Sequence, residues 1–93
     1  MAPPNLLPVP LGQTVATPAA LRELTQADII AALRRHAGGD WGEVDAHDRA
    51  ANDDALRTGA RLLSAYRSAA GTAFWVITEA DRSVTTVLLP DDY

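Results

Sequence analysis

Cysteine is absent from this chain of 93 residues, and so is lysine. Without cysteine there is no disulfide framework, no thiolate zinc site and no cysteine nucleophile. No apolar run approaches the ~20 residues that span a bilayer, so no membrane partner is expected. The opening residues, Met1-Ala2-Pro3-Pro4-Asn5-Leu6-Leu7-Pro8, have neither a basic n-region nor an apolar h-region. A secretion signal is therefore not expected, and the default location is cytoplasmic. A nucleophile elbow, a phosphate-binding glycine loop and a dinucleotide fingerprint are all missing. So are the Asp-x-Asp-x-Asp-Gly calcium loop and any His-x-x-x-His pair. Neither a cofactor nor a metal is expected.

Basic charge is scarce too. Eight arginines face twelve acids, for a formal charge of -4. Counterion release on a phosphate backbone needs clustered Lys and Arg, so nucleic acid is not an expected partner. Alanine supplies eighteen of the hydrophobic residues, which leaves few large side chains for a core. One domain of this size buries only about 60–65% of its unfolded surface, and association with another chain is one way to bury more.

Residues 1–10 hold prolines 3, 4, 8 and 10 and read as a flexible Pro-rich arm. Residues 11–93 read as one domain. Leu11 to Ala16 has the makings of a short edge strand. Thr17-Pro18 starts a short helical turn, since threonine caps and proline suits the first helical position. Thr25-Gln26-Ala27-Asp28 resembles a capping box and predicts a helix from Gln26 to about Ala37, ended by Gly38-Gly39. Its expected apolar face is Ile29, Ile30, Leu33 and Ala37. Asp45-Ala46-His47-Asp48 repeats the capping pattern for a third helix, which runs to about Thr58 and stops at Gly59. There Ala46, Ala50, Ala51, Ala55 and Leu56 are the expected packing positions. The last third alternates turns with β-branched and aromatic runs, which predicts strands over residues 61–67, 72–78 and 84–89. The expected fold is α+β: two to three N-terminal helices packed on a C-terminal three-stranded antiparallel β-meander. Both sheet faces are partly apolar, so helices should cover one and a partner or the N-terminal arm the other.

Four constellations are of chemical interest. Between Asp40 and Asp54 six carboxylates face one arginine, a local charge of -5, while the rest of the chain is close to neutral. The functional reading is a metal site or a surface that imitates nucleic acid, with Asp40, Asp45 and Asp48 as contacts for a basic partner; the plainer and favoured reading is helix capping and a solvated face. His36 and His47 are the only histidines, and an imidazole is the natural general base near neutrality. The plainer and favoured reading of His36 is a helix C-terminal dipole partner or a brace to Asp40, and of His47 an exposed residue. Thr78-Glu79-Ala80-Asp81-Arg82-Ser83 joins two strands. A metal-independent ribonuclease would use His36 or Glu79 as base and Arg82 on the phosphorane charge. The plainer reading is a polar turn in which Asp81 bonds turn amides and Arg82 pairs with Glu79. Lastly, Trp41 and Trp75 are aromatic candidates for a core or an interface, with Trp41 expected to plug the core from its loop, and Tyr66 and Tyr93 are expected as exposed aromatics at the sheet and the C-terminus.

Several strings here, Gly39-Asp40-Trp41-Gly42, Arg61-Leu62-Leu63-Ser64-Ala65-Tyr66, Trp75-Val76-Ile77-Thr78-Glu79-Ala80-Asp81-Arg82-Ser83 and Thr86-Val87-Leu88-Leu89-Pro90, together with Asp48 and Asn52, resemble a small bacterial family of plasmid- and mobile-element-related proteins. The resemblance covers about residues 11 to 93. Some members carry the description type I restriction endonuclease subunit M. A methyltransferase of that kind needs a cofactor-binding Rossmann domain, and 93 residues without a glycine fingerprint do not supply one. The resemblance thus implies a mobile-element setting and no particular chemistry.

Three functions compete at this stage. The leading expectation is a non-enzymatic accessory or anti-defence factor that occupies a protein partner, with a homodimer as a further expected state. Its contact residues would be Asp40, Trp41, Asp45, Asp48, Tyr66, Trp75, Asp81 and Arg82. The alternative is the ribonuclease or toxin-like enzyme above. A plasmid-maintenance regulator ranks last, because the third helix is acidic where DNA readers are basic.

Overall fold

A computed structural model describes residues 7–93. The elements in chain order are β1 (Gln13–Ala16), α1 (Pro18–Glu23), α2 (Gln26–Ala37), α3 (Ala46–Thr58), β2 (Leu62–Arg67), β3 (Ala73–Thr78) and β4 (Val84–Leu88), with a closing 3-10 turn at Pro90–Asp92. The fold is α+β, as the residue pattern implies. The sheet differs from a three-stranded meander. β2, β3 and β4 do form one, but β1 joins it beside β4 in parallel, giving a four-stranded mixed sheet in the order β1-β4-β3-β2. The Leu11–Ala16 segment is too short to announce its direction. The parallel pairing follows from α1 and α2 crossing the sheet before the chain returns.

The helix ends are set by their sequence. Thr17 accepts from the Ala20 amide at 3.1 Å, with Pro18 next to it. Thr25 and Asp28 form a reciprocal capping box, each side chain taking the other's backbone N–H at 3.0 Å. Asp45 takes the Asp48 amide at 2.8 Å. Each such cap stabilises its helix by about 1 kcal/mol.

The buried helix faces match the expected ones in part: Ile29, Leu33, Ala37, Ala55 and Leu56 are buried or half-buried, and Ile30, Ala46, Ala50 and Ala51 are not. On α2 the buried residues are Ala32 and His36, with Ile29 and Leu33 half-buried and Ile30 42% exposed. On α3 they are Asn52 and Ala55, while Ala46, Ala50 and Ala51 face solvent. Asn52 accounts for the rotation of α3. Its side-chain amide donates to the Leu63 carbonyl at 2.7 Å and accepts from the Leu63 amide at 3.1 Å. These bonds saturate the outer edge of β2, a stronger constraint than burying one more alanine methyl.

Two residues further along the same edge, Ala65 donates to the Trp41 carbonyl at 3.0 Å and accepts from Glu43 at 2.7 Å. The loop before α3 thus pairs with the sheet at Gly42. Gly42 has φ +74°, and a Cβ there would sit 2.0 Å from the Ala65 carbonyl oxygen. Only glycine allows so close an approach.

Two apolar clusters result. Ala20, Leu24, Ala32, Tyr66, Phe74, Val76 and Val87 lie between α1, α2 and the sheet. Val9, Trp41, Val44, Ala55 and Leu62 form the other. Val9 corrects the reading of residues 1–10 as a flexible arm: it is 3% exposed, and its amide donates to the Ala37 carbonyl at 2.8 Å. The arm docks by then, and its residues 1–6 lie outside the described part.

Gly42→Ala should cost at least about 3 kcal/mol of unfolding free energy, because strained φ and backbone overlap coincide. Gly59→Ala should cost only about 1 kcal/mol, since φ is also positive there but nothing lies within 4 Å of the added methyl. Urea denaturation of the two variants checks this, and equal losses would refute the edge-pairing account.

Candidate functional site

The polar centre of the molecule is His36, which is fully buried. Residue 36 sits in the last turn of α2, on the stripe that faces the sheet. Beneath it, Ser64 of β2, Thr78 of β3 and Thr85 of β4 point inward from positions shared with Leu62, Val76 and Val87. His36 Nδ1 lies 2.6 Å from Ser64 Oγ, and Nε2 lies 2.8 Å from Thr78 Oγ1. Thr78 Oγ1 is 2.7 Å from Thr85 Oγ1, which donates to the Leu11 carbonyl at 2.7 Å.

The proton order along this chain is determined by its end. A carbonyl only accepts, so the single Thr85 hydroxyl proton goes to Leu11. Thr78 must then donate to Thr85. Nε2–H must donate to Thr78, and Ser64 must donate to a bare Nδ1. Of the two neutral tautomers only Nε2–H gives every bond one proton; the imidazolium, which would donate to Ser64 from Nδ1, is the form that burial disfavours. Burial, with the Arg82 cation adding to it, holds the His36 pKa down to about 4. The ring also meets Trp41 edge-on at 5.7 Å between centroids. A side chain with both nitrogens engaged and no exposure has no open position for a substrate.

Arg82 is the one non-glycine residue with positive φ, 61°, among those described. Its guanidinium donates to the carbonyls of Ala60 at 2.7 Å, Ala55 at 3.1 Å and Glu79 at 3.2 Å. Arg82 therefore closes the C-terminal end of α3, where a cation suits the helix dipole, and does not pair with the Glu79 carboxylate. Asp81 accepts from the Ser83 amide at 3.0 Å and from its hydroxyl at 2.6 Å, which holds its carboxyl below the usual range. Glu79 is exposed.

The acidic segment is also engaged within the molecule. Arg35, not His36, braces Asp40, through Nε to Oδ2 at 2.7 Å. That bond lowers the Asp40 pKa, helped by the Gly42 amide. Arg35 also stacks over the Tyr66 ring at 4.6 Å. Tyr66 lies in the core at 3% exposure rather than at a surface, and its hydroxyl donates to the Asp40 carbonyl at 2.5 Å. Burial pushes the phenol up to about 12. Trp41 is 4% exposed and plugs the core; its indole N–H donates to Asp53 at 3.0 Å. Glu43 pairs with Arg67 and Asp54 with Arg57. Asp45, His47 and Asp48 come within 4.8 Å of one another at the start of α3, all exposed. Asp45 is there as a cap, and no second observation marks a cation site.

The sequence-derived candidates thus fall into separate structural networks. Asp40, Trp41 and Tyr66 join around Arg35 and Asp53, while Asp81 and Arg82 secure the β3–β4 turn against α3. The residues that sequence reasoning missed are Ser64, Thr78 and Thr85. Their signal is legible: they are polar residues at inward positions of strands whose neighbours on that face are apolar.

Besides the exposed carboxylates Asp40, Asp45, Asp48 and Asp81, the candidates left at the surface are aromatic. α1 and α2 pack on the sheet face of Phe74, Val76 and Val87. On the opposite face Trp75 is half-buried and meets Tyr93 edge-on at 5.6 Å between centroids. Tyr93 is 67% exposed, and its hydroxyl accepts from Arg61 at 2.7 Å. Leu63, Val84 and Thr86 are half-buried on the same face. Among the described residues no helix is long and apolar enough to cross a membrane. Comparison with models of protein families, with curated proteins and with solved structures finds no match.

Two outcomes are expected. The unfolded chain takes up a proton on His36 near the ordinary value of 6.5, whereas the folded chain does so only near 4. The folded pKa is lowered, so the contribution is full above the unfolded value and is lost as pH falls toward the folded one, in total about 3 kcal/mol. Urea titrations across this range should show that loss, and His36→Gln should flatten it; a wild-type stability independent of pH there would contradict the buried neutral ring. Arg82→Lys should lower stability by about 1–2 kcal/mol, because an ammonium cannot reach three carbonyls at once. Thermal denaturation reads this, and an unchanged midpoint would remove Arg82 from the α3 terminus.

Proposed function

We propose that this chain is a non-enzymatic protein-binding factor of a plasmid or other mobile element, acting on the partner it occupies, an anti-defence role included. The observation that carries the reading is a contrast. His36 and Arg82, the side chains best suited to chemistry, are bonded to internal hydroxyls and carbonyls. On the sheet face away from α1 and α2, Ile77 and Leu88 are buried, but Trp75 stays half-buried and Tyr93 is 67% exposed. Half-exposed aromatics beside an arginine are the residue types that supply binding energy at protein interfaces. The mobile-element setting comes from the resemblance of the Gly39–Gly42 and Trp75–Ser83 strings.

The ribonuclease reading needs His36, Glu79 and Arg82 around one phosphate. No observation favours it, since His36 is enclosed and Arg82 is committed to α3.

A photo-crosslinking residue placed at Tyr93 in the bacterial host should give a discrete adduct with one protein, and the same residue at exposed Ala51 on α3 should not. Trp75→Ala should weaken the captured complex by about 2 kcal/mol, roughly thirtyfold in Kd. Adducts from Ala51 alone, or from neither position, would overturn the assignment of this face.

A further inference from the structure

The two edges of the sheet are treated differently. The outer edge of β2 is closed by Asn52 and by the Trp41–Glu43 segment. The outer edge of β1 is open. Gln13 N donates to the Ser83 carbonyl and Thr17 N to the Val87 carbonyl, so the odd positions of β1 face β4. By strand alternation the N–H and C=O groups of Thr14 and Ala16 point away from the sheet. Among the described residues none bonds to them. β1 carries no charge, no proline and no bulge; its one protection as a bare edge is its length of four residues. Beneath it runs an apolar groove of about 240 Å³ between the strand, α1 and α2, with Ile29 and Leu33 in its wall. Leu21, 62% exposed, and Val15, 39% exposed, stand at its rim.

We propose that this edge is a homodimer interface, in which β1 pairs antiparallel with β1 of a second copy about a two-fold axis at Val15. Thr14 then faces Ala16 of the second copy, and Ala16 faces its Thr14. Each pair exchanges both main-chain bonds, and the two Val15 side chains meet at the close, non-hydrogen-bonded position. Three features select a second copy over a foreign strand. The protruding Leu21 and the recess that receives an aliphatic side chain lie on one rim, so a two-fold fills both recesses at once. Arg22 and Glu23 are adjacent, exposed and without an ion-pair partner among the described residues. In the proposed dimer Arg22, which in one chain lies within Coulombic reach of Asp92, would also meet Glu23 of the second copy. The neutral strand itself offers nothing to attract a charged peptide. The dimer joins two four-stranded sheets into one of eight, with the Trp75 face doubled on one side. This inference is independent of what binds that face.

Light scattering after gel filtration at about 100 µM, where micromolar dimers persist, should give twice the 9.9 kDa chain mass. Leu21→Glu should weaken the dimer at least about tenfold while leaving the fold intact, because the side chain is mostly exposed. Thr14→Pro should do the same, since the N–H it removes points away from β4; circular dichroism verifies folding of both. A wild-type chain that stays monomeric, or a dimer that survives both substitutions, would overturn the proposal. A monomer that still crosslinks through Tyr93 would end the dimer and leave the binding face standing.

Discussion

Everything in this fold is arranged around one imidazole. His36 ties the end of α2 to Ser64 on β2 and to Thr78 on β3. Thr78 passes the chain to Thr85 on β4, and Thr85 passes it to the Leu11 carbonyl just before β1. Three strands, the segment that leads into β1 and the longest helix of that layer are thereby held by a single run of bonds. The run has one satisfactory proton order, because each hydroxyl has one proton and the terminal carbonyl has none. A polar chain in a low-dielectric core strengthens register when complete and is costly when one member is missing. No buried side-chain polar atom among the described residues lacks a partner.

Such a device suits this composition. With eighteen alanines and few large apolar residues, the chain cannot rely on bulk burial alone. Its two apolar clusters are small and lie on either side of the polar chain. Directional bonds do what additional leucines would do elsewhere, and do it with positional information. Asn52 on the β2 edge and Arg82 on the α3 terminus follow the same strategy, each spending a polar side chain on main-chain groups that sequence-local structure leaves open. The residues that look most like chemistry in the sequence are therefore the ones used for construction.

Legibility in the sequence follows from how local each feature is. Thr17-Pro18, Thr25 with Asp28, and Asp45 with Asp48 define helix starts within four residues, and the structure has them where the pattern puts them. The β2–β3–β4 meander is equally local. What failed depends on distance. β1 is four residues whose pairing partner lies seventy positions on, and nothing local chooses parallel over antiparallel. On α2 and α3 the apolar pattern finds Ile29, Leu33, Ala55 and Leu56 but not His36 and Asn52, whose burial is intelligible only with partners on other elements. Tyr66 was read as a surface aromatic although its alternation with Leu62 and Ser64 already set it on the inward face.

The central claim, that a neutral imidazole of fixed polarity organises the sheet, has a direct measurement. Long-range nitrogen–proton correlation spectroscopy of the histidine rings distinguishes the tautomers and follows their titration. The account predicts for His36 a protonated Nε2 and a bare Nδ1, unchanged from neutrality down to about pH 5. A ring with its proton on Nδ1, or one that becomes imidazolium near its ordinary value, would contradict it.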